Sequence, residues 1–101
     1  MVVALPGGGV ATGAVGGAIE IWERQSNRLE RAGTLSGHDS DVRALAVLPD
    51  GSLASGGEDD SIRLWKHARR LPHGDFVTSL RVLADGTLAS ASYDGTIRLW
   101  A

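Results

Sequence analysis

The sequence predicts an all-β repeat protein, and three observations carry that expectation. The segment His38–Trp65 falls on His73–Trp100 without a gap at an offset of 35 residues, and 14 of the 24 positions from Val42 to Trp65 are identical to their partners. Within each copy the apolar residues alternate along short runs bounded by Gly, Asp and Pro, as half-buried strands do. No stretch shows the 3.6-residue period of an amphipathic helix. Self-similarity at such a period marks a chain of stacked units, each of which buries its apolar face only against a neighbour.

A worn third copy lies at the N-terminal end. At an offset of 43 residues, Leu5-Pro6 stands under Leu48-Pro49, Gly8 under Gly51, Val10–Gly13 under Leu53–Gly56, Ile19 under Ile62 and Trp22 under Trp65. In the middle unit Val42–Leu48 is a first strand, Pro49-Asp50-Gly51 a turn, and Ser52–Gly56 a second strand. Glu58-Asp59-Asp60 turns again into a third strand, Ser61–Trp65. The last unit repeats the plan with Val77–Leu83, Thr87–Ala91 and Thr96–Trp100. Its Asp85-Gly86 and Asp94-Gly95 are strong hairpin signals. Between units, Arg28–Leu35 is long enough for a fourth, outer strand whose charges suit a solvated edge. Lys66–Leu71 before Pro72 is shorter, so its outer strand should be short or irregular.

Gly37-His38, a strand, Pro49-Asp50-Gly51, Leu53-Ala54-Ser55-Gly56, Asp59 and Ser61-Ile62-Arg63-Leu64-Trp65 together resemble the WD-repeat family of β-propellers. The resemblance implies blades of antiparallel sheet with four strands per blade. It covers the chain as a degenerate first blade with its outer strand at 1–36, a second blade at 37–72, and a third at 73–101 without an outer strand. That makes about two and three-quarter blades, an incomplete ring in one chain. There are departures: Glu23, Lys66 and Ala101 follow the three tryptophans where the family has Asp. His73 has no preceding Gly, and Gly16 stands where the later copies have Asp59 and Asp94. An incomplete ring leaves three expectations open: a piece of a longer propeller, a chain completed into a ring by copies of itself, or a decayed gene product.

Composition narrows the function classes. Ten Lys/Arg against twelve Asp/Glu give a formal net charge of −2, which disfavours non-specific binding to nucleic acid or an anionic membrane. The absence of cysteine removes disulfides, thiolate metal sites and a cysteine nucleophile, and fits a reducing, cytoplasmic location. The uncharged stretch over residues 1–19, with Gly9, Gly13 and Gly17 at small-xxx-small spacing, has no basic n-region and is interrupted by Pro6 and Gly7-Gly8-Gly9. It reads as repeat and not as a leader or membrane span. The same glycines lack the Lys-Ser/Thr and the helix of a phosphate loop.

His38, Ser55, Asp59 and Trp65 recur as His73, Ser90, Asp94 and Trp100. A Ser, a His and an Asp together invite a hydrolase triad. The family resemblance implies instead a buried tetrad in which Asp ties to His and on through Ser to the indole N–H. Two features favour the structural role: the set repeats once per unit, and neither Ser lies on a G-x-S-x-G elbow. The carboxylates Asp39, Asp41, Glu58, Asp59 and Asp60 show no calcium-loop spacing, and His67 and His73 no ligand set, so no metal and no cofactor is expected.

The resemblance implies that the loop before the first strand and the turn between second and third strands open on one face, and recognition is expected there. That face would carry Asp39, Asp41 and Glu58 from one blade and Phe76 and Tyr93 from the next. These last are the chain's single Phe and single Tyr; on these loops they are expected exposed beside charge, with packing on the neighbouring blade as the equal alternative for Phe76. The leading expectation is a non-enzymatic interaction scaffold for a protein or peptide partner, with no nucleic acid or membrane. A sensor or regulatory segment of a larger signalling enzyme is the alternative, and an autonomous Ser/His/Asp hydrolase the third.

Overall fold

A computed structural model describes residues 1–13 and 16–100. These form eleven strands in three antiparallel sheets, with no helix among the described residues. The first sheet holds β1 (Val2–Ala4), β2 (Val10–Gly13), β3 (Ile19–Gln25) and β4 (Arg28–Leu35) in that order. The second holds β5 (Val42–Val47), β6 (Leu53–Gly57), β7 (Ser61–Leu64) and β8 (Arg69–Pro72). The third holds β9 (Val77–Val82), β10 (Leu88–Ser92) and β11 (Ile97–Trp100). They are consecutive blades of an open ring. Ala101, where the third unit ends in the sequence, lies outside the described residues, as do Ala14 and Val15.

Within each sheet strand order follows chain order because every connection there is a hairpin, and the turns show why these residues serve. Leu83 N–H bonds the Thr87 carbonyl at 2.8 Å and Gly86 N–H the Leu83 carbonyl at 2.9 Å. Gly86 takes φ +88°, while Asp85 is not among the residues with positive φ. The Asp-Gly pair therefore closes a three-residue loop with glycine in the left-handed position, and not the two-residue turn that would need positive φ at both. Asp85 Oδ1 accepts the Thr87 N–H at 3.0 Å, and Asp50 repeats this with Ser52 at 2.9 Å.

The apolar core lies between the blades. Ala11 and Ile19 of the first pack with Val42, Leu45 and Leu53 of the second. Ile62, Ala54 and Leu71 of the second pack with Val77, Leu80 and Leu88 of the third. Two glycines admit the neighbouring strand: a Cβ on Gly13 would stand 2.8 Å from Val42 Cγ1, and one on Gly56 would overlap Val77 Cγ1. The third unit has Ala91 at that position. Its opposite face is uncovered, with Ile97 75% and Leu99 65% exposed where the equivalent Ile62 is fully buried.

Outer hairpins differ between blades. β3 and β4 pair from Ile19↔Leu35 out to Gln25↔Arg28, across a bulge after Ile21. β7 and β8 stop at Leu64↔Arg69, and the chain reverses through residues 65–68 with Ala68 at φ 51°. The short outer strand expected from Lys66–Leu71 is thus present, four residues long.

Candidate functional site

The structure brings His38, Ser55, Asp59 and Trp65 into one chain of hydrogen bonds. Trp65 Nε1–H, which can only donate, reaches Ser55 Oγ at 2.8 Å; Ser55 Oγ lies 2.6 Å from His38 Nε2; His38 Nδ1 lies 2.9 Å from Asp59 Oδ2. Reading donors along the chain, Ser55 donates to Nε2, so Nδ1 carries the proton given to Asp59. The strands dictate this meeting: Ser55 projects from β6, Trp65 just follows β7, and Asp59 sits on the turn between them. His38 enters from the connection before β5.

Asp59 gathers further donors: the Asp39 N–H at 3.0 Å, and the N–H and hydroxyl of Ser61 at 3.2 and 2.8 Å. Burial alone would push the Asp59 carboxyl up, but these bonds and His38 outweigh it and hold it below the usual carboxylate range. The order Asp–His–Ser is that of a hydrolase triad, yet Ser55 is wholly buried, with its hydroxyl already shared between His38 and Trp65. A nucleophile must meet its substrate, and this one has no surface on which to do so.

The third blade departs from the expected tetrad at one link. Trp100 Nε1 reaches Ser90 Oγ at 2.9 Å, and Ser90 Oγ lies 3.1 Å from His73 Nε2. Asp94 Oδ2, however, is 3.6 Å from His73 Nδ1, beyond hydrogen-bond range, and Nδ1 accepts the Gly74 N–H at 3.2 Å instead. Asp94 turns to Thr96, whose hydroxyl and N–H hold its carboxyl below the usual range. The physical reason lies in the connection. Residues 36–41 join β4 to β5, but only residues 73–76 join β8 to β9, so His73 follows directly on Pro72 with less chain to turn toward the Asp. In the first blade the pair Trp22 Nε1 to Thr12 Oγ1, 3.1 Å, is what remains of the network. Thr12 occupies the Ser55 position, a signal present in the sequence alignment of the copies but not singled out there.

On the loop face, Glu58, Phe76 and Tyr93 gather around a residue that sequence reasoning missed, Arg43. Its Nε bonds Glu58 Oε2 at 2.5 Å, and its guanidinium lies 6.0 Å from the Phe76 ring centre and 5.9 Å from that of Tyr93. The bond to Glu58 raises the Arg43 pKa further, so the cation is permanent. Phe76 and Tyr93 pack with centroids 5.5 Å apart. Tyr93 is 61% exposed, whereas Phe76 is half-buried, covered by Tyr93 and by Arg43 from the preceding blade. Asp41 spends a carboxylate oxygen on the Gly16 N–H, 2.9 Å, across the boundary between first and second blades. Asp39 is exposed and contributes its amide, not its carboxylate, to the Asp59 cluster. Among the described residues no group of three His, Cys, Asp or Glu is placed to hold a metal ion.

Comparison with known proteins matches residues 29–66 and 67–101 to the WD domain, G-beta repeat. The chain is 44% identical over 62 residues to human Echinoderm microtubule-associated protein-like 2, covering 60% of this chain and 9% of that protein. It is 39% identical over 57 residues to Small ribosomal subunit protein RACK1y of Oryza sativa subsp. japonica, covering 55% of this chain and 16% of that protein. The chain thus spans a small fraction of the length of the curated relatives it matches. Among solved structures, the WD40 beta propeller domain of Doa1 superposes with a TM-score of 0.86 at 20% identity, over all of this chain and 36% of that one.

Proposed function

The chain belongs to the family of the WD domain, G-beta repeat, and on that premise we propose that it is a non-catalytic interaction module that binds a protein or peptide partner through its loop face. The observation that carries this reading is the cluster of Arg43, Glu58, Phe76 and Tyr93 at the boundary of the second and third blades. An exposed aromatic backed by a second ring and a fixed ion pair combines rigid apolar area with directional polar groups, the composition of interface hot spots. Two relatives are named as parts of larger assemblies, one microtubule-associated and one a ribosomal subunit protein, which supports a scaffold role in the cytoplasm. Asp41, tied to the first blade, and exposed Asp39 would form the rim of the same surface.

The test is photocrosslinking from a p-benzoylphenylalanine at position 93, with exposed position 29 on the outer strand of the first blade as control. A discrete adduct that appears only from position 93 and disappears when Arg43→Ala is added supports the reading. Equal adducts from both positions, or one indifferent to Arg43, would refute it.

A second reading concerns assembly. The exposed Ile97 and Leu99 repeat the positions at which Ile62 and Leu64 meet the third blade. We propose that a further blade, from a second copy or from a longer chain, covers them. Light scattering on the 101-residue protein and on Ile97→Lys decides the self-assembly form. A discrete oligomer lost in the variant supports it, and a monomer in both refutes it.

A further inference from the structure

A second concave surface lies on the opposite side from the loop face, between the outer strands of the second blade and the third. It is an open groove of about 440 Å³, within the range of about 300–1,000 Å³ common for ligand sites. Leu48, Leu64, Leu71, Leu88 and Trp100 form its apolar walls. The groove exists because β7 and β8 stop early: in the first blade the corresponding hairpin continues for four further residue pairs past the bulge. Trp100 presents a ring with no unmet polar need, since its Nε1–H is already given to Ser90.

The rim is charged, and its charges are unevenly spent. Asp50 is satisfied internally: Ser52 donates its hydroxyl and its N–H to it, at 2.5 and 2.9 Å, while Lys66 Nζ and His67 Nε2 each stand at 3.5 Å. Arg69, which also lines the groove, is exposed and has no carboxylate within 4 Å among the described residues; the same holds for Arg70 beside it. With Asp50 occupied by Lys66 and Ser52, the groove offers an apolar floor beside the free guanidinium of Arg69. Guanidinium binds carboxylate bidentately and selectively.

We propose that this groove is a docking site for an acidic peptide segment of a partner protein, one that seats large apolar side chains against Leu64, Leu88 and Trp100 and places the following carboxylates on Arg69. Charge complementarity selects the acidic class. The groove is half-open to solvent, which suits side chains carried on a passing backbone better than a free alkyl chain that gains most from enclosure. The site is separate from the loop face, so two partners could be held at once.

The experiment is fluorescence anisotropy on the 101-residue protein with a short labelled peptide in which Leu-Phe precedes Glu-Glu. Saturable binding is expected, reduced roughly tenfold or more by Arg69→Glu, since a rim attraction becomes a repulsion. Replacing Glu-Glu by Gln-Gln, or Leu-Phe by Ser-Ser, is expected to weaken it to a similar degree. Leu64→Phe fills the groove and is expected to block binding; if that variant fails to melt cooperatively, Arg69→Glu at its exposed position decides alone. Tyr93→Ala is expected to leave this peptide's affinity unchanged, which separates this site from the loop-face reading. The proposal is overturned if the peptide does not bind, if Arg69→Glu or the neutral peptide binds as well, or if octanoate binds in the groove and the peptide does not.

Discussion

Replacing Asp59 by alanine removes the acceptor for four donors at once: His38 Nδ1, the Asp39 N–H, and the N–H and hydroxyl of Ser61. Ser61 is itself buried, at 1% exposed, so its donors are stranded, and only the N–H of exposed Asp39 can find water. His38 is stranded as well: its side chain is 0% exposed and that of Asp59 only 4%, so the imidazole N–H is left buried and unpaired. A stranded buried donor costs about 1–3 kcal/mol, and the loss of a charge-assisted bond adds about 1.5–3 kcal/mol. The substitution should therefore cost about 3–6 kcal/mol, a large share of a typical domain's stability. At roughly 4–8 °C per kcal/mol for a chain of this size, even the lower figure means a fall in Tm of about 12–24 °C. Asp94→Ala supplies the internal comparison. His73 already takes its hydrogen bond from Gly74, so a smaller loss is expected at a position the repeat makes equivalent. Thermal melts by circular dichroism read both. Equal shifts, or an unmoved Tm in Asp59→Ala, would refute the claim that the buried imidazole is what the carboxylate serves.

Three further outcomes follow from the same geometry. Trp65→Phe puts a smaller ring in place of the indole and removes the donor to Ser55 Oγ, and should cost at least about 1 kcal/mol by urea denaturation with an unchanged m-value. Gly56→Ala drives a Cβ into Val77 at the boundary of the second and third blades, and should cost about 1–3 kcal/mol, with the chemical-shift changes spread over β9 and not confined to β6. The carboxyls of Asp50, Asp59, Asp85 and Asp94 are all held below their ordinary values, that of Asp50 at about 2. An unfolded chain binds their protons near pH 4, so the stability they contribute is present above about pH 4 and is lost as pH falls toward 2. Tm should be flat from pH 7 to 5 and drop steeply below 4; a Tm that holds to pH 2 would exclude this linkage.

What the sequence made legible is what recurs within a unit. Two good copies exposed the strand alternation, the Asp-Gly turns and the His, Ser, Asp and Trp that meet across β5, β6 and β7, because these contacts repeat at one offset. What it hid are contacts that occur once. Arg43 meets Phe76 and Tyr93 of the next unit, 33 and 50 residues away, and its partner position in the last unit is Thr78, so no periodicity marks it. The drift of Asp94 from His73 came from connection length, which Pro72 hinted at without fixing the angle of the imidazole. The groove above Trp100 depends on where a hairpin stops, and the boundary of a short, polar outer strand is what propensity reads least well.

The polar relay of the second blade begins and ends within residues 38–65, whereas the apolar clusters are shared between neighbouring blades. That division has an evolutionary consequence. A unit duplicated, deleted or moved into another chain carries the buried side-chain donors and acceptors of this relay together, so recombination at the connections strands none of them. Only oily faces must be matched anew, and these adapt through small volume changes at sites such as Gly13, Gly56 and Ala91. Units can then diverge at their loops and outer hairpins while inheriting an intact interior.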